Sequence, residues 1–221
     1  MKNILLVTGG TGGHVIPSIA LLEHLNNNFS VEIVTDIRGS KFINKKEYNY
    51  QLIDVPNLFS KFYLLPFNIV KYLFNIFKSL NLLKKKNIDI IISTGGYMTL
   101  PFCLAAFLLK KKIILFEPNS VLGRTNKFVL NFSHKIICYN NNLKNFPKKY
   151  DFKKRNIQPI LTKQMYNIKK NRNFFKDIKK ILIIGGSQGA SFFDNKITDI
   201  IIKISKKKKF QIIQQISDKN L

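Results

Sequence analysis

Cysteine and tryptophan are almost absent from this chain. It has no Trp and only two cysteines, Cys103 and Cys138, each isolated in an apolar segment. Because no Cys-x-x-Cys pair is present, we expect two buried, reduced thiols in a cytosolic protein rather than a redox or metal motif.

Long hydrophobic runs are also missing. No stretch of 18 or more apolar residues occurs, so the sequence predicts no transmembrane helix. The N-terminus passes from a single charge at Lys2 into a short apolar run that glycines soon interrupt, which does not fit a secretory signal. With 221 residues and 45% hydrophobic residues, the chain is long and apolar enough to form a globular core.

Acidic residues are scarce, and so is arginine. Lys and Arg number 37 against 12 Asp and Glu, which gives a formal net charge of +25. Arginine occurs only at positions 38, 124, 155 and 172. A reader of duplex DNA is expected to concentrate arginine, so we predict no nucleic-acid partner. Both a chain-wide bias towards Lys and a specific electrostatic role remain open.

The feature that organises the chain is its first turn. The apolar run Ile4–Thr8 leads into Gly9-Gly10-Thr11-Gly12-Gly13-His14, and a helical pattern follows from Pro17. Strand, glycine turn and helix in this order let backbone N–H groups face an anion, and glycine leaves room for it.

The spacing of these glycines excludes two nucleotide-binding motifs. A dinucleotide fingerprint needs a further glycine where Val15 stands, and a P-loop needs a Lys after the glycines. A phosphate or sugar-nucleotide turn carrying a histidine remains, alongside a purely structural turn.

Three predicted parallel strands end in polar or glycine-rich turns. Besides the first turn, Gly95-Gly96-Tyr97 follows the run 88–93, and Glu117-Pro118-Asn119 follows the run 113–116. Ligands of parallel α/β sheets lie beyond the carboxyl ends of strands, so this convergence predicts a site. Asp36 ends the second strand, and we interpret it as a strand-end residue rather than a ribose-binding acid.

The segment 58–86 is the most hydrophobic part of the chain. From Phe67, which Pro66 precedes, apolar residues recur at helical spacing, with Lys71 and Lys78 predicted on another face. An amphipathic helix packed on the sheet is one reading. The other is a helix and loop that enter a lipid interface through Phe62, Leu65, Phe74 and the two lysines.

A polar, basic stretch from Asn140 to Arg155 predicts a domain boundary, with units 1–150 and 151–221. The second unit has the same order of predicted elements as the first, an apolar strand, a glycine turn and a helix. Its strand Ile181–Ile184 leads into Gly185-Gly186-Ser187-Gln188-Gly189-Ala190, and a helix and a strand follow. The sequence therefore predicts an α/β fold with two Rossmann-like domains, the second incomplete.

Four ordered motifs resemble those of the MurG family of peptidoglycan N-acetylglucosaminyltransferases. They are Gly9–Pro17; Gly95-Gly96-Tyr97 with Pro101; Glu117-Pro118-Asn119 with Thr125-Asn126-Lys127; and Gly185–Ala190. Two motifs depart from the family pattern. Phe116 and Pro118 flank Glu117 in a motif usually written His-Glu-Gln-Asn, and Leu161 stands where the family has an Arg.

The resemblance implies a GT-B fold, with the active site in a cleft between two Rossmann-like domains. It implies an inverting transferase that moves GlcNAc from UDP-GlcNAc to the MurNAc C4 hydroxyl of undecaprenyl-linked lipid I, which gives lipid II for the cell wall. No metal and no cofactor are implied, in agreement with the absence of an Asp-x-Asp motif. The expected location is the cytoplasmic face of the bacterial cell membrane, as a peripheral protein on anionic lipid.

The resemblance also implies roles for particular residues. His14 matches the general base, and histidine is the side chain best suited to take a proton at neutral pH. The matched substrate-binding positions are Thr11, Gly12, Gly13, Asn119 and Ser187, and more weakly Gly10, Gly96, Tyr97, Glu117, Gln188 and Gly189. Three other classes remain to be tested: a nicotinamide-dependent oxidoreductase, a non-catalytic acceptor-binding module or remnant at the membrane, and a nucleic-acid binder.

Overall fold

The computed structural model describes residues 1–56, 65–166, 179–185, 197–206 and 210–214. The chain divides into two compact units, Met1–Tyr166 and Asn167–Leu221. Each unit is described by itself.

The first unit is built on a seven-stranded parallel sheet in the order β3-β2-β1-β4-β5-β6-β7. The strands are β1 (Asn3–Val7), β2 (Ser30–Thr35), β3 (Tyr50–Leu52), β4 (Ile90–Ser93), β5 (Lys112–Glu117), β6 (Lys135–Cys138) and β7 (Lys154–Asn156). Because all neighbouring strands are parallel, every carboxyl end lies at one edge of the sheet, called here the carboxyl edge.

Helices connect these strands. They are α1 (Gly12–Leu25), α2 (Ile37–Ser40), α3 (Leu65–Lys85), α4 (Leu100–Leu108), α5 (Arg124–Val129) and α6 (Lys163–Tyr166), with 3-10 turns at Tyr97–Thr99 and Lys148–Lys153. In the second unit, β8 (Lys179–Ile183) pairs in parallel with β9 (Phe210–Gln214), and α7 (Thr198–Ser205) lies between them in sequence.

Both faces of the large sheet are covered, which explains why β1 is apolar at every central position. Leu5 and Val7 pack in one cluster with residues of α3 and α4 such as Leu83 and Phe102. Ile4 and Leu6 pack in a second cluster with residues of α1. Alternate residues of a strand point to opposite faces, so a strand buried on both sides needs an unbroken apolar run.

The first helix begins earlier than the sequence pattern predicts. We expect it from Pro17, whereas α1 begins at Gly12 and contains Pro17 in its interior. The glycines are weak helix formers and Pro17 cannot donate a backbone hydrogen bond, so the first turns carry no sequence signal for a helix. The glycine turn therefore ends as the first turn of a 14-residue helix.

The first unit extends past the predicted boundary at 150. Strand β7 pairs with β6, and Lys153 Nζ donates to the carbonyls of Leu130 and Ser133 beyond α5. His24 Nε2 hydrogen-bonds to the Leu161 carbonyl at 3.0 Å. These contacts attach residues 151–166 to the first unit, although their composition is that of a polar linker.

The two cysteines are free and buried, as the sequence predicts. Burial raises the pKa of the Cys103 thiol to about 12 and also raises that of Cys138. Both therefore stay protonated at neutral pH, which makes them unreactive packing residues. No described helix is at once long enough and apolar enough to cross a membrane.

Candidate functional site at the carboxyl edge

Asp36 holds the first glycine turn in place. Its carboxylate is 2% exposed and accepts hydrogen bonds from the backbone N–H of Gly10 at 2.9 Å and of Gly39 at 2.7 Å. Gly10 has φ +82°, a conformation that glycine adopts without strain. Asp36 is therefore an internal anchor of the turn and the N-cap of α2, in agreement with its interpretation as a strand-end residue.

The turn after β4 is joined to the first turn through side chains. Thr94 Oγ1 donates to Thr8 Oγ1 at 2.8 Å, and the Tyr97 hydroxyl donates to Asp36 Oδ2 at 3.3 Å. Burial raises the pKa of Tyr97, the Asp36 carboxylate raises it further, and Arg38 lowers it. Tyr97 therefore remains a hydrogen-bond donor at neutral pH, and the two turns form one assembly.

Glu117 organises the loop after β5. Its side chain is fully buried, and its oxygens accept hydrogen bonds from Asn119 Nδ2 at 2.9 Å, Gly123 N at 2.9 Å and Asn126 Nδ2 at 3.0 Å. The Asn119 backbone N–H is a fourth donor, at 3.3 Å. Because four donors occupy its two oxygens, Glu117 positions Asn119 and the start of α5.

Two adjacent cavities open at the carboxyl edge, and His14 lines both. The larger has a volume of about 530 Å³. Its described walls are His14, Pro56, Tyr72, Gly95, Gly96, Tyr97, Leu100, Gly123, Arg124 and Thr125. The smaller has a volume of about 180 Å³. Its described walls are Gly9, Gly10, Thr11, His14, Arg38, Gly96, Tyr97 and Met98. We call them the large and the small cavity.

Two polar groups in the cavity walls have no partner among the described residues. His14 Nδ1 is buried without a hydrogen bond, and so is the hydroxyl of Tyr72, a residue 8% exposed on α3. Buried polar groups in folded proteins are nearly always paired, so unpaired ones at a cavity indicate a place for a polar ligand.

The structure brings some of the predicted site residues together and leaves others apart. Gly10, Thr11, His14, Gly96 and Tyr97 line a cavity. The described walls of the two cavities do not include Gly12, Gly13, Glu117 or Asn119. The predicted Ser187, Gln188 and Gly189 lie outside the described residues.

Sequence reasoning missed Arg38, Arg124 and Tyr72 as cavity residues. A signal for the two arginines was available, since arginine supplies only four of the 37 Lys and Arg residues. No sequence signal distinguishes Tyr72 from the other aromatic residues of α3. Its burial depends on how the helix is rotated against the sheet.

Helix α3 exposes the apolar stripe that an ordinary packed helix would bury. Phe67, Phe74 and Phe77 are 57%, 59% and 65% exposed, whereas Tyr72, Asn75 and Ser79 face inwards. The reading of α3 as an amphipathic helix packed on the sheet is confirmed, but the helix packs through Tyr72, Leu82 and Leu83, and most of the predicted apolar stripe stays exposed.

The lysines of α3 lie beside this stripe instead of on another face. Lys71 Nζ is 4.5 Å from the ring centroid of Phe67, and Lys78 Nζ is 4.7 Å from that of Phe74. The separate face predicted for them is wrong because residues four apart are neighbours on a helix. Of the other predicted membrane-contact residues, Phe62 and the side chain of Leu65 lie outside the described residues.

Replacing Gly39 by Ala should destabilise the first turn. A Cβ at Gly39 would lie 2.2 Å from Thr35 Oγ1 and 3.0 Å from Asp36 Oδ1, and Thr35 is fully buried. We expect a loss of about 1–3 kcal/mol in the free energy of unfolding, measured by urea denaturation.

The matched control for Gly39→Ala is Gly13→Ala, where an added Cβ meets only Thr11 Oγ1 at 3.7 Å. Because Gly13 is an exposed residue within α1, this substitution should leave stability unchanged or raise it by up to about 1 kcal/mol. Equal effects of the two substitutions would contradict the close packing described for Gly39.

Comparison with known proteins identifies the family. The model of the glycosyltransferase family 28 N-terminal domain matches residues 4–138. A Pelagibacter ubique protein named UDP-N-acetylglucosamine--N-acetylmuramyl-(pentapeptide) pyrophosphoryl-undecaprenol N-acetylglucosamine transferase is 47% identical over 99% of this chain. A Rickettsia felis protein of the same name is 34% identical over 97% of the chain. The chain spans 61% and 62% of the lengths of these two relatives.

Solved structures agree on the fold. MurG of Acinetobacter baumannii superposes with a TM-score of 0.71 at 24% identity, covering 100% of this chain and 62% of that one. The S. aureus MnaA–UDP co-structure superposes with a TM-score of 0.68 at 14% identity, covering 99% of this chain and 62% of that one. The predicted α/β fold of GT-B type is confirmed. Since the family model matches more than half of its residues, the chain belongs to glycosyltransferase family 28, and its relatives confirm the resemblance to MurG transferases.

Proposed function

We propose that this chain carries the acceptor-binding part of a transferase that moves GlcNAc from UDP-GlcNAc to the MurNAc C4 hydroxyl of lipid I, giving lipid II. The relatives' names supply the donor, the acceptor and the reaction class. We assign the acceptor to the first unit and the donor to the second, which carries the predicted Ser187. The observation that supports the proposal best is the position of His14 at the junction of two cavities on the carboxyl edge.

In the proposed reaction His14 acts as the general base. Its imidazole takes the proton of the C4 hydroxyl, and the freed oxygen attacks the anomeric carbon of GlcNAc. The new C–O bond forms as the bond between that carbon and the UDP oxygen breaks, so the electron pair leaves with UDP. One displacement at the anomeric carbon inverts its configuration. Positioned base catalysis of this kind typically contributes about 10²–10⁴-fold to a rate.

The glycine turns suit the anionic parts of these substrates. Backbone N–H groups at the start of α1 and the positive end of that helix favour a negative charge, and no acidic side chain is among the described residues that line either cavity. The Asp36 carboxylate is engaged by two backbone amides and the Tyr97 hydroxyl. The carboxyl edge can therefore accept phosphate groups without repulsion from a free carboxylate.

The transfer itself is tested with the purified 221-residue chain, labelled UDP-GlcNAc and a lipid I analogue. Acceptor-dependent formation of labelled lipid II is expected, and an assay without the acceptor serves as the control. Saturable acceptor binding without turnover would support the second candidate, a non-catalytic acceptor-binding module of the same family. The absence of both turnover and acceptor binding would contradict the proposal.

We propose further that α3 attaches the protein to the anionic cytoplasmic face of the bacterial cell membrane. Exposed aromatic rings beside lysines combine an apolar surface with attraction to lipid headgroups. Tyr72 lies on the same helix and lines the large cavity, so the helix that would enter the headgroup region also borders the proposed acceptor site. A lipid-linked acceptor fits this arrangement.

The double substitution Phe74→Ser with Phe77→Ser should weaken binding to phosphatidylglycerol vesicles by at least about tenfold in a sedimentation assay. The reason is the loss of two large exposed apolar side chains, each able to contribute about 1.5–3 kcal/mol when buried in lipid. Phe152→Ser is the matched control, since Phe152 is 70% exposed on the turn at Lys148–Lys153. An equal loss in the control, or no loss in the double variant, would contradict attachment through α3.

A further inference from the structure

Arginine is placed selectively in this chain. Of its four arginines, Arg38 lines the small cavity and Arg124 lines the large one, and no lysine is among the described walls of either. Arg155 donates to the carbonyls of Phe152 and Lys154 at the far strand of the sheet. Although almost all basic residues of this chain are lysines, the basic residue in the described walls of each cavity is an arginine.

The difference between the two side chains is geometric as well as electrostatic. A guanidinium presents a planar fork of N–H donors that binds two oxygens of one phosphate at once, whereas an ammonium is a compact point charge. Both side chains carry a positive charge, so the forked geometry of the guanidinium is the property that arginine adds at these two positions. Phosphate and carboxylate are the groups that fit such a fork.

The placement of one arginine in each of two adjoining cavities suits a ligand with two linked anionic groups. The small and large cavities share His14, Gly96 and Tyr97 in their walls, so they lie side by side with one arginine in each. Tyr72, a residue 8% exposed whose buried hydroxyl has no hydrogen-bond partner among the described residues, also lines the large cavity. Burial raises the pKa of this hydroxyl, so it is present in its protonated form.

We propose that Arg38 and Arg124 form a clamp for a diphosphate, with one phosphate in each cavity and His14 between them. The clamp rests on the proposed function in one respect: the diphosphate is assigned to the lipid-linked acceptor rather than to UDP. Arg38 and Arg124 are then specificity-determining residues that hold the acceptor's diphosphate while its sugar faces His14.

The clamp is tested by calorimetric titration of the full chain with inorganic pyrophosphate at about 0.15 M salt, where loose attraction to a basic surface is screened. Wild type should bind one pyrophosphate. Arg38→Gln with Arg124→Gln should weaken binding at least about thirtyfold. Arg38→Lys with Arg124→Lys keeps the charge and loses the fork, so it should still weaken binding by about tenfold.

A matched control removes the same charge at the opposite edge of the sheet. There a cavity of about 290 Å³ is lined by Lys2, Asp89, Ile90, Lys110, Lys111 and Lys112. Lys2→Gln with Lys112→Gln should leave pyrophosphate binding unchanged. Equal weakening by this control, or wild-type binding by either arginine pair variant, would overturn the clamp.

Two further arms separate acceptor from donor and the clamp from the proposed function. The arginine variants should raise the Kd of a soluble lipid I analogue and leave that of UDP unchanged, and an effect on UDP alone would overturn the acceptor assignment. Arginine-dependent pyrophosphate binding in a chain without transfer would keep the clamp and refute the transferase activity of this chain. Transfer by the arginine variants with an unaltered KM for lipid I would refute the clamp and support the transferase activity of this chain.

Discussion

Glu117→Ala should lower the free energy of unfolding by about 3–5 kcal/mol, the largest stability loss that we expect of any single substitution. The carboxylate is fully buried and accepts hydrogen bonds from two side-chain amides and two backbone N–H groups. Truncation leaves the buried Asn126 amide and the half-buried Gly123 N–H without their acceptor, whereas the two donors of Asn119 belong to an exposed residue that can bind water. Each unsatisfied donor costs about 1–3 kcal/mol, and refilling of the space by water offsets part of the sum.

The control for this prediction is Glu32→Ala on β2. Glu32 pairs with Lys86, and both side chains are more than one third exposed. Exposed ion pairs contribute about 0–1 kcal/mol, so this variant should unfold close to wild type in urea, followed by far-ultraviolet circular dichroism. If the free energy of unfolding of Glu117→Ala is also within about 1 kcal/mol of the wild-type value, the hydrogen bonds to Glu117 do not stabilise the loop as described.

His14→Ala should reduce the turnover number for GlcNAc transfer by about 10²–10⁴-fold, with little change in acceptor affinity. The imidazole is the only side chain other than Tyr97 that lines both cavities among the described residues. Removing it takes away the group that receives the C4 hydroxyl proton and leaves the glycine amides and both arginines in place. The measurement is steady-state kinetics with labelled UDP-GlcNAc, together with acceptor binding.

The fold of the variant is the control for the His14 prediction. The backbone N–H of His14 donates to the Thr11 carbonyl, and the Ser18 hydroxyl donates to the His14 carbonyl, so the side chain is not needed for these contacts. The urea midpoint should therefore stay near that of wild type. A variant that keeps wild-type turnover would show that another group takes the proton. A variant that loses acceptor binding in parallel would show a binding role.

The sequence predicts the central strands of the first unit and the edge where the site forms, but it misses β7, whose residues have the composition of a polar linker. Apolar runs such as Ile4–Thr8 and 88–93 correspond to β1 and β4, and parallel pairing places the turns that follow them at one edge. Alternation of strand and helix patterns is sufficient for this, because burial on both faces requires continuous apolar residues in each strand.

The hydrogen-bond partners of the Asp36 and Glu117 carboxylates could not be predicted from the sequence. Asp36 follows β2 and Glu117 is the last residue of β5. The incomplete dinucleotide fingerprint favours a strand-end role for Asp36 without identifying its partners, and the resemblance suggests a substrate contact for Glu117. The outcome depends on where Gly10 N, Gly39 N and Gly123 N point, and tertiary packing sets those directions.

Helix α3 shows a related limit. Periodicity identifies its apolar stripe but carries no information on which side of the helix meets the sheet. The structure turns Tyr72, Asn75 and Ser79 inwards, where Ser79 Oγ donates to the Asn75 carbonyl, and leaves Phe74 and Phe77 outside. Local side-chain hydrogen bonds to the helix backbone allow polar residues to occupy a buried face.

In the proposed function, lipid I binds at the carboxyl edge of the first unit. Photocrosslinking with a lipid I analogue that carries a diazirine on its MurNAc tests it most directly, with the labelled peptides located by mass spectrometry. If lipid I binds there, we expect labels within Gly9–His14, Thr94–Leu100 and Gly123–Asn126, and unlabelled analogue should remove all of them by competition. Labels concentrated around Lys110–Lys112 at the opposite edge, or labels that the unlabelled analogue does not displace, would contradict it.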